Sequence, residues 1–125
     1  GNAALATGTW TVNTTADYRF VGISMSTALS SNSTVDNNII RNFNITTGSV
    51  FQTQGGLFAG MYASNGDFVI SENEIGGSTG NITIVSNSSN SFGFVYGIFH
   101  TGNGAVTITD NTVGGYAISN SASNA

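Results

Sequence analysis

The same short run of residues occurs three times at a spacing of about 37, and this constrains the fold more than any other feature of the chain. The first copy reads Phe20-Val21-Gly22-Ile23, then Val35-Asp36-Asn37-Asn38-Ile39-Ile40. The second reads Phe58-Ala59-Gly60-Met61, then Ile70-Ser71-Glu72-Asn73-Glu74-Ile75. The third reads Val95-Tyr96-Gly97-Ile98, then Ile108-Thr109-Asp110-Asn111-Thr112-Val113. With 20 Val plus Ile and 16 Asn among 125 residues, composition alone gives about 0.4 matches to [Val/Ile]-x-x-Asn-x-[Ile/Val]. Three occur, each 13 to 16 residues after a repeat glycine. A fixed period of this size means that one supersecondary unit stacks on the next, because no single unit can bury its own apolar face.

Composition excludes several functions. Only 6% of residues are charged, the net charge is −4, and Arg19 and Arg41 are the only cations besides any charge on His100. Electrostatic capture of nucleic acid or of an anionic membrane surface is therefore not expected. The absence of cysteine removes disulfides and thiolate metal sites. No apolar run approaches the ~20 residues of a membrane-spanning helix. Polarity is instead uncharged: Gly, Ser, Thr and Asn supply 65 of the 125 residues. Five Asn-x-Ser/Thr sequons, at Asn13, Asn32, Asn44, Asn81 and Asn87, follow from that composition and do not by themselves predict glycans.

Helix formers are scarce and strand formers common. The expected strands are Thr9–Val12, Arg19–Met25, Phe68–Ser71, Asn81–Val85, Phe92–Phe99, Ala105–Thr109 and Ala117–Ser119, each bounded by Gly, Asn or Ser. Within them apolar residues alternate: Phe68 and Ile70 point one way, Val69 and Ser71 the other. From Ile70 to Ile75 the step is odd, so a continuous strand cannot keep both on one face, and a bend is expected at Asn73. Stacking such units at the ~4.8 Å strand spacing places Asn38, Asn73 and Asn111 in a hydrogen-bonded ladder. Asn also tolerates the left-handed backbone that a tight corner requires. Aliphatic columns Val35/Ile70/Ile108, Ile40/Ile75/Val113 and Ile23/Met61/Ile98 accompany it. Gly22, Gly60 and Gly97 mark a bulge or a close backbone approach.

A Gly-Ile strand followed by this Asn motif resembles the coils of right-handed parallel β-helix proteins, a group that includes pectate-lyase-like enzymes and repeat-rich bacterial surface and secreted proteins. The resemblance covers residues about 18 to 118. It implies an all-β parallel β-helix (solenoid) of about three coils, with repeats near 18–55, 56–92 and 93–125 and a partial coil over 1–17, in a single domain or segment. It implies no particular activity, since enzymes and inert stalks share the motif. Coils of that group are usually shorter than 37 residues, so the excess is expected in Gly/Ser/Asn-rich loops at Thr46–Gly56 and Gly76–Phe92. A β-sandwich is the competing fold.

Polysaccharide lyases and hydrolases need paired carboxylates. Glu72 and Asp110 share one repeat position, Asp36 lies one residue earlier, and Glu74 flanks Asn73, so these acids could line a groove for acid–base work or a divalent cation. The repeat alone would also stack them as solvated corner residues, and such lyases want a basic partner that only Arg19 and Arg41 could supply. His100 lacks the partners of a zinc site. Gly76-Gly77-Ser78-Thr79-Gly80 opens no helix and is not a phosphate loop. Thr107 and Thr109 align with Val69 and Ser71, so no ice-binding threonine array forms. Tyr18, Phe20, Phe58, Phe92, Phe94, Tyr96 and Phe99 read first as core, with a sugar-stacking platform as the alternative. The expectation is therefore a non-enzymatic structural module, secreted or on the cell surface, with no catalytic residue, metal or cofactor. A polysaccharide-active or glycan-binding β-helix fragment is the alternative.

Partners follow from the size of the stack. Three coils form a slab only ~15 Å thick with two full tiers of unpaired strand edges. Neither end carries the polar cap of a free-standing solenoid. Starting at Gly1 without methionine, the chain reads as a processed product or an excised piece. Both ends are expected to stack, on further coils of a longer chain or on other copies in a filament; a complete chain would favour the filament.

Overall fold

The computed structural model describes residues 8–50, 56–77, 81–88 and 93–121. These form strands and no helix. In chain order the strands are β1 (Trp10–Asn13), β2 (Phe20–Met25), β3 (Asn32–Asp36), β4 (Ile39–Ile40), β5 (Phe43–Thr47), β6 (Phe58–Ala63), β7 (Asp67–Ser71), β8 (Glu74–Ile75), β9 (Ile82–Ser86), β10 (Val95–His100), β11 (Val106–Thr109), β12 (Thr112–Val113) and β13 (Tyr116–Asn120). They sort into four sheets: a first ordered β10-β6-β2, a second β11-β7-β3, a third β12-β8-β4 and a fourth, four-stranded, β1-β5-β9-β13. Every pairing is parallel. Parallel neighbours need a long connection between them. Here that connection is the passage through the other three sheets in turn, an arrangement that fits a parallel β-solenoid.

Registers join equivalent residues of the repeated run: Phe20 and Val95 both pair with Phe58, Val35 and Ile108 both with Ile70, Ile40 and Val113 both with Ile75. Because side chains alternate along a strand, residues joined in register point the same way and stack as columns. The middle strands bury them completely: Phe58, Met61, Ile70, Ile75, Ile82 and Ile84 are all 0% exposed. An aromatic cluster fills one side of the interior. Phe20 stacks on Phe58 at 5.3 Å, Phe43 lies 4.4 Å from Phe20, and Tyr116 meets Phe58 edge-on at 6.1 Å.

Two expectations need correction. The segments Thr46–Gly56 and Gly76–Phe92 are not simply loops. Thr46 and Thr47 end β5, a strand not expected from sequence, whereas β9 is the strand expected over Asn81–Val85; the two pair with each other and with β1 and β13 as the four-stranded sheet. Residues 51–55, 78–80 and 89–92 of those segments lie outside the described residues. Of this fourth sheet only β5 is hard to read from sequence, because the inward positions include hydroxyls. Thr47 and Ser86 are fully buried beside Ile45, Ile82 and Ile84. Local bonds satisfy them: Thr47 Oγ1 donates to Ala16 O at 3.2 Å, and Ser86 Oγ accepts from Ser88 N–H at 3.2 Å. The second correction concerns the corner. Its left-handed residue is not the ladder asparagine but the one before it: Asn37, Glu72 and Asp110 have φ of 55°, 56° and 57°.

Glutamate in that conformation crowds its Cβ against the following carbonyl, at a cost of roughly 1 kcal/mol. Glu72→Asn is expected to stabilise the protein by about 0.5–1 kcal/mol, because asparagine visits this region far more readily. Urea denaturation reads the shift, and a loss of stability would contradict the assignment of strain.

Tyr116 supplies a pH-dependent prediction. Burial raises its phenol from 10.0 to about 12, and its hydroxyl has no hydrogen-bond partner among the described residues. Above pH 10 the unfolded chain ionises this group while the folded chain keeps the proton, so the unfolded state binds fewer protons and stability falls as pH rises. Its contribution is complete below pH 10 and is lost as pH climbs through the folded value of about 12. Tyr116→Phe should flatten this limb of a urea-midpoint profile, leaving the smaller slope of Tyr18, whose phenol burial also raises.

Candidate functional site

The corner between the second and third sheets concentrates the polar side chains of the repeat. Its backbone turns at the left-handed residue, and the next side chain, an asparagine, points along the stack. Asn38 Nδ2 donates to Asn73 Oδ1 at 3.0 Å, and Asn73 Nδ2 donates to Asn111 Oδ1 at 2.8 Å. The same two oxygens accept from the backbone N–H groups of Asn38 and Asn73, each at 3.0 Å. Two of the amides also reach back one strand: Asn73 Nδ2 donates to Val35 O at 3.0 Å and Asn111 Nδ2 to Ile70 O at 2.8 Å. Asn73 is 1% exposed, so these bonds replace water almost entirely for that residue. The row organises a corner. It offers no nucleophile and no proton of suitable acidity.

Outside it lie the acids. Asn37 Nδ2 donates to Asp36 Oδ2 at 3.0 Å and to Glu72 Oε2 at 3.1 Å, so an amide bridges two carboxylates. Asp110 follows Glu72 at the equivalent corner position, and Glu72 N–H donates to Thr109 O at 3.3 Å. Glu74, beyond the corner, instead pairs with Arg41, Nη1 to Oε1 at 3.3 Å, both side chains being partly exposed. The three candidate acids are thus divided between two environments. Among the described residues no group of three or more His, Cys, Asp or Glu is placed to hold a metal ion. His100 ends β10, half-buried, with Nε2 unpartnered among the described residues.

Gly22, Gly60 and Gly97 lie against the third sheet. A Cβ on Gly60 would sit 2.5 Å from Ile75 Cγ2 and 2.7 Å from Gly97 O; one on Gly22 would sit 2.6 Å from Gly60 O and 3.0 Å from Ile40 Cδ1. Close approach of two sheets, with no left-handed backbone at these three positions, is what demands glycine here.

The aromatics divide into two sets. Phe20 and Phe58 belong to the interior, joined by Trp10, Phe43 and Tyr116, which lie outside the repeated run. Phe94, Tyr96, Phe99 and Tyr62 form a second, partly exposed row: Tyr62 stacks on Phe99 at 5.7 Å, Tyr96 lies 4.7 Å from Phe99, and Phe94 meets Tyr96 at 6.1 Å. The Arg19 guanidinium sits 5.6 Å from the Tyr62 ring centroid. Phe92 lies outside the described residues. Tyr62 was not among the aromatics expected from sequence, and its register with Phe99 is the signal that would have found it.

Parallel sheets and a hydrogen-bonded corner define the class, an all-β protein of stacked parallel strands that fits a β-solenoid. Compared with known family models, curated proteins and solved structures, the chain matches none.

Proposed function

We propose that the chain is a non-enzymatic structural module of the cell exterior: a right-handed, pectate-lyase-like parallel β-helix of three coils with a period near 37 residues, whose ends stack on further coils or on other copies. One observation carries this reading. Ile70, Ile75 and Ile84 are 0% exposed, while Ile108, Val113 and Ile118, their register partners one strand further on, are 50%, 48% and 47% exposed. Three aliphatic columns thus run straight through the interior and open at one face. Each such side chain is worth roughly 1.5–3 kcal/mol when buried fully. Aliphatic columns that end uncovered favour a covering partner. Few charges and many uncharged polar groups suit a wettable rod.

The partly exposed row Phe94, Tyr96, Phe99 and Tyr62 favours a second reading, a glycan-binding β-helix in which sugar faces lie against the rings. Purified protein assayed against a panel of acidic and neutral polysaccharides separates these readings. The structural module turns over none and binds none. Saturable binding without turnover, lost in Phe94→Ser, would establish the second reading. Turnover that disappears in Asp110→Asn and Glu72→Gln would sink both in favour of a carbohydrate-active enzyme.

A further inference from the structure

Accepting the stacking module above, the structure raises a question of register at its two ends. The four-stranded sheet has one strand more than the other three, because β1 lies one level beyond β5 while nothing among the described residues lies beyond β2, β3 or β4. Suppose a second copy continues the first, its β10, β11 and β12 resting on the β2, β3 and β4 of its neighbour. Its β13 then falls where the neighbour's β1 already lies. Moving the copy out by one more strand spacing clears β1 but leaves an empty layer ~4.8 Å deep in three sheets. Intact copies therefore cannot meet on all four sheets.

The two ends are nonetheless complementary. Along the asparagine row each Oδ1 accepts from the N–H and the Nδ2 of the residue one level earlier. Among the described residues this pattern leaves Asn38 Oδ1 with no donor at one end. At the other end the Asn111 N–H has no acceptor among the described residues. Asn111 of one copy beside Asn38 of the next supplies both. The columns also continue, Ile108 onto Val35 and Val113 onto Ile40. A recess of about 290 Å³ lined by Trp10, Phe20, Gly22, Ile39 and Ile40 lies where the incoming side chains would enter. At the corner, Asp110 would meet the amide of Asn37 rather than another acid. Such a joint is head-to-tail and propagates.

Strand β13 is also built to occupy the place of β1. Through the shared registers, Tyr116 is equivalent to Trp10, Ala117 to Thr11 and Ile118 to Val12. Both strands read aromatic, small, aliphatic, polar, and β13 has five residues against four in β1. Among the described residues only β5 pairs with β1, and Trp10 is 61% exposed. We propose that β1 is a displaceable end strand that blocks self-assembly, and that copies join head to tail when β13 of one replaces β1 on β5 of the next. The exchange breaks no covalent bond and substitutes one set of parallel ladder bonds for another.

The experiment uses the full chain, which contains no cysteine. Thr11 and Asn44 are exposed register partners, so Thr11→Cys with Asn44→Cys ties β1 to β5 when oxidised. Cα partners on adjacent strands fall within disulfide range. Sedimentation velocity should show assemblies that grow with concentration for the reduced protein, and loss of every species above monomer after oxidation, reversed by dithiothreitol. In a second variant, Asn44→Cys with Ala117→Cys, oxidation should produce a ladder of covalent multimers on a denaturing gel, because Ala117 of one copy then lies beside Asn44 of the next. Assembly that persists with β1 tied overturns the proposal, as does assembly without the intermolecular disulfide. Should the cysteine variants fail to give the parent's strand spectrum, Trp10→Ser decides: faster assembly by light scattering supports the proposal and an unchanged rate overturns it. Reduced protein that stays monomeric at all concentrations also overturns it. That result leaves the structural reading intact with further coils as the partner, whereas polysaccharide turnover removes that reading itself.

Discussion

Asn73→Leu is expected to lower stability by about 2–4 kcal/mol with the strand content of the remaining native state unchanged. Leucine has similar volume, so packing changes little and the loss is one of hydrogen bonds. Asn73 Oδ1 serves two donors, the N–H and Nδ2 of Asn38, while its own Nδ2 serves Asn111 Oδ1 and Val35 O. At 1% exposure water cannot replace it, and a buried group left without a partner costs roughly 1–3 kcal/mol. The neighbours should rank below it. Asn111→Leu leaves the N–H and one Nδ2 hydrogen of Asn73 without an acceptor, whereas Asn38→Leu removes only the Nδ2 donor from Asn73 Oδ1, at a more exposed level. Urea denaturation of the three variants should give the order Asn73, Asn111, Asn38, and equal effects would show that the row is not cooperative along the stack. Asn73→Asp is a sharper form of the test. Its second oxygen would face Val35 O and Asn111 Oδ1, acceptor against acceptor, unless protonated. Burial and the two acceptors facing that second oxygen raise the folded value of such a carboxyl, so this variant should be most stable in acid and lose stability as pH rises above the ordinary carboxylate range.

Gly60→Val should cost about 3 kcal/mol or more and leave little folded protein if the parent is marginal. The first added carbon would lie 2.5 Å from Ile75 Cγ2 and 2.7 Å from Gly97 O, and two further methyls follow it. One of those neighbours is backbone and cannot rotate away. The other is a fully buried side chain in the middle level. Gly97 provides the comparison: a Cβ there would clash with the side chain of Val113, which is 48% exposed and free to move outward. Gly97→Val should therefore be the milder variant. Compensation by Ile75→Ala in the Gly60→Val background would show that the second-level contact, rather than strand propensity, carries the cost; thermal denaturation of the single and double variants measures this.

These two sites show why part of the protein is readable from its residues. In a parallel stack, equivalent positions meet directly, so whatever a corner requires must recur along the chain. Asn38, Asn73 and Asn111 recur for that reason, and so do Gly22, Gly60 and Gly97. The odd step from Ile70 to Ile75 marks the bend, since both side chains must face inward across it and both are fully buried. The corner residue that takes the left-handed backbone was harder to find. Asn37, Glu72 and Asp110 share polarity but not side-chain type, because only backbone conformation is required of them.

What the repeat itself determined, then, is the identity of stacked positions, through the alternation of side chains and the pairing of like with like. Tertiary structure alone decided three other matters. It made β5 a strand and paired it with β9, where Thr47 and Ser86 occupy the inside because Ala16 and Ser88 lie close enough to bond them. It gathered Trp10, Phe43 and Tyr116 with Phe20 and Phe58, since rings from different sheets meet only when the turns close. And it set how deep each column is buried. Ile70 and Ile108 are the same residue at the same repeat position, yet one is 0% exposed and the other 50%. The difference is whether another strand lies on top, a property of the stack and not of any local sequence.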